Sequence, residues 1–164
     1  MSRRAFTLVE LLVVIAIIGL LSTIAITSLS SARRQSRNAK RLADIKQLVT
    51  SFSLGLDANG TYPSTGGDVW KCISSACTGG WVVYTASGTV DAFFTPFMAK
   101  PTDPDDKNFR GQGGYSYDAA WVGNASFPPG SYINYTIETP ASSCGVGVIG
   151  SVTANYVNCF VQLY

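Results

Sequence analysis

The chain contains no histidine, which removes the commonest general base, the Ser-His-Asp triad and imidazole metal sites. The side chains left to do chemistry fall into four groups. Glu10 is a carboxylate set into an apolar run, and Cys72, Cys77, Cys144 and Cys159 are the cysteines. Arg33, Arg34, Arg37, Lys40 and Arg41 make a basic group; Asp103, Asp105 and Asp106, with Asn108 nearby, make an acidic one. No paired carboxylates, Gly-rich phosphate loop or nucleophile–base pair stands out. The chain therefore reads as a non-enzyme, with no catalytic residue and no cofactor to assign.

Glu10 is the odd residue. Phe6-Thr7-Leu8-Val9 precedes it, and Leu11 to Leu21 follows without a polar side chain. From Phe6 to Ile26, at about 1.5 Å per residue, a helix spans a bilayer core of roughly 30 Å. An ionised carboxylate inside such a segment is costly unless a cation pairs with it. No basic side chain lies within helical reach on the apolar side. The partner must come from the chain's own start or from another molecule; the bland alternative is a protonated or snorkelling Glu10.

The cysteines contain no C-x-x-C pair, which weakens zinc and thioredoxin-like readings, and outside the cytoplasm they read as structural disulfides. Several pairings are open. Closeness in sequence favours Cys72–Cys77 and Cys144–Cys159. The acidic group offers oxygen ligands suited to calcium, but Pro101 and Pro104 point to a rigid, solvated loop, and no metal site is assigned. The basic group has no interleaved aromatics and scatters around a helix axis. It reads as a solvated face, or as partner to acidic groups of neighbouring subunits, and a nucleic-acid partner is not expected.

These residues need elements to carry them. No proline occurs from Met1 to Tyr62, so one helix from about Phe6 to about Leu56 is expected. Leu42, Ile45, Leu48, Val49 and Phe52 recur at helical spacing and form an apolar stripe over its second half. Asn59-Gly60-Thr61-Tyr62-Pro63 ends it. Strands are expected over Trp81–Thr85, Tyr115–Val122, Tyr132–Glu138 and Ala154–Leu163. In the third, Ile133, Tyr135 and Ile137 alternate with Tyr132, Asn134, Thr136 and Glu138, which predicts one buried and one wet face. Short links imply an antiparallel sheet laid on the stripe, an α+β fold. The formal charge of +2 implies no polyanion partner; without Arg3 and Arg4, basic and acidic side chains balance at ten each.

The string Arg3-Arg4-Ala5-Phe6-Thr7-Leu8-Val9-Glu10, followed by the apolar run, resembles the processing site of type IV pilins and type II secretion pseudopilins. The resemblance implies a pilin fold and a leader, residues 1–5, cut between Ala5 and Phe6 by a prepilin peptidase. It implies N-methylation of Phe6 and a role for Glu10 in assembly, paired with a neighbouring subunit's amine. The segments expected are a transmembrane or filament-core half over 6–30, an amphipathic half over 31–57 and a β-sheet head with disulfide loops over 58–164. The family usually has Gly where this chain has Ala5, and Pro where it has Thr27.

Implied partners are identical subunits in a helical homopolymer, the prepilin peptidase/methyltransferase, an assembly ATPase with its inner-membrane platform, and the bilayer before assembly. The implied location is the inner membrane for the precursor and then a cell-surface filament. Arg3 and Arg4 favour a cytoplasmic start, whereas the larger basic group after the apolar segment favours the reverse; the leader motif and the cysteines decide for the first. Two other readings stand beside this one. One is a type II secretion pseudopilin; the other is a soluble secreted binding domain behind an ordinary signal peptide cut near residue 32.

Overall fold

A computed structural model describes residues 6–79, 85–105 and 112–164. Helix α1 runs over Leu8–Asn59, and the chain divides into two compact units, Met1–Ser36 and Arg37–Tyr164. In the first unit, every described residue from Phe6 to Ser30 is exposed. The lack of proline lets α1 run on, and Gly60, at φ 76°, ends it: its N–H donates to the Leu56 carbonyl at 2.7 Å.

The second unit is built around a five-stranded antiparallel sheet. Its strands are β1 (Lys71–Cys72), β4 (Ser116–Trp121), β5 (Gly130–Glu138), β6 (Val148–Val152) and β7 (Tyr156–Leu163), in the order β1-β4-β5-β7-β6. A separate pair joins β2 (Thr78–Gly79) to β3 (Gln112–Gly113). A short helix α2, Gly88–Phe94, is capped by Ser87, whose hydroxyl accepts the Val90 N–H.

The apolar stripe of α1 does what its spacing implies. Ile45, Leu48 and Phe52 are fully buried against Tyr117, Ile133, Tyr135 and Val161 of the sheet and Phe94 of α2. Phe52 is the hub, with ring centres 4.7 Å from Tyr117 and 5.6 Å from Phe94. Gly55 leaves the space that the Phe93 ring fills; a Cβ there would lie 2.5 Å from the ring edge.

Strands β4 and β7 fall within the expected segments, and β5 covers the whole of the third and starts two residues earlier, at Gly130. Of the segment Trp81–Thr85, residues 81–84 lie outside the described residues. The wet face expected for β5 is a correction: Tyr132, Thr136 and Glu138 are buried as well. The strand is central, and an irregularity between Asp118 and Trp121 turns Trp121 onto the Tyr132 side of the sheet. There Trp121 stacks on Phe160 at 5.0 Å and meets Tyr132 edge-on. A second aromatic cluster therefore covers the face that alternation assigned to water.

The four cysteines form Cys72–Cys77 and Cys144–Cys159. The second ties β7 to the segment before β6, and the Tyr135 hydroxyl donates to the Cys144 carbonyl within the same region. Replacing Cys144 and Cys159 together by Ala should destabilise the second unit by about 3 kcal/mol through the entropy of the freed loop. Denaturant melts of the full chain in detergent, oxidised against double variant, measure it.

Candidate assembly site

Within the first unit, the start of α1 is a closed polar arrangement. Thr7 caps the helix: its hydroxyl oxygen accepts the Glu10 N–H at 3.3 Å. In return, Glu10 Oε2 accepts the Thr7 N–H at 2.8 Å and the Thr7 hydroxyl at 2.7 Å. This is a capping box, which satisfies donors that the first helical turn leaves unpaired. The Thr-x-x-Glu spacing was readable in the sequence and supplies Glu10 with hydrogen bonds that the charge-pairing argument did not anticipate. It supplies no positive charge.

From Leu11 to Ala32 the helix carries no ionisable side chain. The hydroxyls of Ser22, Thr23 and Thr27 bond back to the carbonyls of Ile18, Leu20 and Ile24 at 2.7, 2.7 and 3.0 Å, so they present little unsatisfied polarity. Among the described residues one helix, α1, is long and apolar enough to cross a membrane, by length and composition. Phe6 is exposed at its head; Ala5 lies outside the described residues. The unit thus offers a bare apolar helix surface with one carboxylate near its start.

In the second unit, Arg37 and Arg41 of the basic group depart from the reading of a solvated face. Arg41 is completely buried. Its Nη2 donates to Asp103 at 2.9 Å and its Nη1 to Glu138 at 2.9 Å, with Asn38 Oδ1 taking a further bond from Nη1 at 3.1 Å. Arg37 adds a two-pronged pair to Glu138 and lies 3.7 Å from Asp105. Lys40 pairs with Asp44 at 2.6 Å, and Asp44 also accepts the buried Tyr115 hydroxyl at 2.9 Å.

Burial alone would disfavour charge on Arg41, but the bonds and charges of Asp103 and Glu138 outweigh it and hold its pKa above the ordinary value. Burial likewise opposes the Glu138 carboxylate, and Arg37 and Arg41 more than offset that, holding its pKa low. The acidic group is corrected too. Asp103 is no solvated loop residue: besides Arg41 it accepts the N–H groups of Asp105 and Gly114 at 2.9 and 3.2 Å. Asp106 and Asn108 lie outside the described residues. Among the described residues no group of three or more His, Cys, Asp or Glu could hold a metal.

Residues 1–26 match the family model of the prokaryotic N-terminal methylation motif. Core protein G of the type II secretion system of Vibrio cholerae is 26% identical over 114 residues, covering 70% of this chain and 60% of that protein. The proteins of the same name from Pectobacterium carotovorum and Klebsiella michiganensis are each 33% identical, over 63 and 64 residues. Those two matches cover 38% and 39% of this chain, and 40% and 45% of the relatives. The chain thus spans between about two-fifths and three-fifths of the length of these relatives. No solved structure matches it significantly. The motif, the apolar helix and the antiparallel sheet on its stripe make the chain similar to the type IV pilin-like class of proteins. Within that class, the relatives named above are core proteins of type II secretion.

Proposed function

We propose that the chain is a structural subunit of a type IV pilus or pilus-like filament, with no enzymatic role. The observation that carries this reading is the exposed apolar helix surface with a single carboxylate, Glu10, inside a matched methylation motif. On this reading residues 1–5 are a leader cut between Ala5 and Phe6, and Phe6 is then N-methylated. Residues 6–30 are the membrane and later filament-core half, 31–57 the amphipathic half, and 58–164 the disulfide-stapled head. The precursor waits in the inner membrane and leaves it with identical subunits for a surface filament, trading lipid contacts for helix packing. A prepilin peptidase, an assembly ATPase and a membrane platform are the partners this requires.

A type II secretion pseudopilin is the second reading, favoured by the printed names of the relatives. The disulfide Cys144–Cys159, which ties the last strand to the segment before β6 and resembles the disulfide-bounded C-terminal region of type IV pilins, weighs toward the first. Cleavage near residue 32, as for a soluble secreted domain, would cut inside the continuous helix α1.

Mass spectrometry of the protein from cells tests the reading. The expected product begins at Phe6 with one extra methyl group on its amine. A product beginning near residue 33, or one retaining Met1 in assembled fibres, overturns it.

A further inference from the structure

The aromatic-covered side of the sheet holds a buried acid with no counter-charge. Asp118 stands in β4 opposite Tyr132 of β5 and is fully buried. Its Oδ1 accepts the Ala120 N–H at 2.9 Å. The Thr65 hydroxyl lies 3.3 Å from that oxygen but only 2.9 Å from the Gly67 carbonyl, and its one proton serves a single acceptor. Asp118 Oδ2 is shut off from solvent and has no donor at all. A buried acceptor left in this condition is expensive, and a buried charge more so.

The segment that closes over Asp118 runs from Ser64 to Val69. Thr65 is buried at its centre, its hydroxyl oxygen accepting the Ala119 N–H at 3.3 Å. Asp68, exposed near the segment's end, brings a second carboxyl within hydrogen-bonding reach of Asp118. Two ionised carboxylates are both acceptors and form no bond. Lys71 of β1 pairs in register with Tyr117, one position from Asp118, but forms no ion pair with either acid. From β5, the Tyr132 hydroxyl is spent on the Pro128 carbonyl at 2.8 Å; within β4, the Tyr117 hydroxyl is spent on the Pro63 carbonyl at 3.1 Å.

We infer that Asp118 and Asp68 share one proton, which Asp118 Oδ2 donates to Asp68, and that this bond latches the segment 64–69 onto β4. A metal ion is the other way to neutralise the pair. The closed surroundings of Oδ2 admit a proton without rearrangement and a hydrated cation only after displacing the segment. Burial pushes the Asp118 carboxyl above the ordinary aspartate range; the Ala120 N–H works against this and the Asp68 carboxyl reinforces it. The folded state then binds this proton more tightly than the unfolded chain does. Its stabilising effect is complete below the unfolded aspartate value, about 3.9, and is lost as pH rises through the higher folded value.

The test uses the full chain in detergent micelles, with the aspartate side-chain carbons labelled for NMR. Asp118 is expected to titrate above the ordinary aspartate range. Asp118→Asn, whose amide donates to Asp68 at every pH, is expected to raise Tm at neutral pH and to remove the decline that wild type shows as pH rises from about 3.9 through the folded Asp118 value. If that buried variant does not fold, Asp68→Asn supplies a permanent donor from the exposed side and gives the same readout. An Asp118 carboxyl titrating in the ordinary range overturns the inference. So does a Tm that calcium or magnesium raises in wild type but not in either variant.

Discussion

Replacing Arg41 by Met is expected to destabilise the second unit by about 3–5 kcal/mol, the largest effect of any single substitution outside the apolar core. The size follows from what is left behind. Asp103 loses its only ion-pair partner among the described residues while remaining buried, and Glu138 keeps Arg37 but loses the Nη1 bond. Met fills the space of the arginine stem, so the loss reports uncompensated charge more than a cavity. The control is the double change Arg41→Met with Asp103→Asn. The asparagine oxygen can still take the N–H groups of Asp105 and Gly114 that Asp103 now accepts. The pair should therefore cost clearly less than the two single changes summed, a coupling visible in denaturant melts. Additive losses would mean that the guanidinium contributes through packing alone.

The same cluster sets the acid side of the pH profile. Glu138 has its pKa held below the ordinary value by Arg37 and Arg41 after burial is overcome. The folded state thus binds its proton less readily than the unfolded state. Its contribution is present above the unfolded carboxylate value and is lost as pH falls through the folded one. This slope is opposite in sign to that of the Asp118–Asp68 latch, so the two can be separated in one series of melts across pH.

How far the sequence revealed this molecule can be judged at particular residues. The stripe Ile45, Leu48 and Phe52 was legible because burial against a sheet repeats at the helical period, and propensity and pattern point the same way. The four cysteines were legible as two sequence-local pairs. Arg41 was not. Its neighbours Arg33, Arg34 and Lys40 share its composition, and nothing local marks which arginine of a helix turns inward. What buries Arg41 is a meeting with Asp103 and Glu138, 62 and 97 positions away, a tertiary fact that no short window contains. Glu138 misled for the same reason: a charged residue in the even register of β5 looks wet until its arginines are known. Strand β6 was missed because all five of its residues are exposed and Gly150 breaks its alternation. The Thr7–Glu10 box was written in the sequence, but an argument centred on charge looked past a cap that needs none.

That cap sharpens the test of assembly. Glu10→Ala is expected to abolish filaments while leaving the precursor in the membrane at its normal level, but Ala removes two things together: the capping acceptor and the negative charge. Glu10→Gln separates them, since a glutamine oxygen accepts the Thr7 N–H and hydroxyl much as the carboxylate does. Thr7→Ala is the converse, deleting the hydroxyl partner and keeping the charge. If Glu10 serves by meeting the amine of an adjacent subunit, Gln should fail to assemble and Thr7→Ala should assemble. If its work is to start the helix, the outcomes reverse. The first pattern is expected, because a frayed first turn is a small local loss that packing restores, whereas two charges of opposite sign in an apolar setting must find each other or stay apart from it. Electron microscopy of surface fibres, with immunoblots of membrane and sheared fractions, distinguishes the patterns.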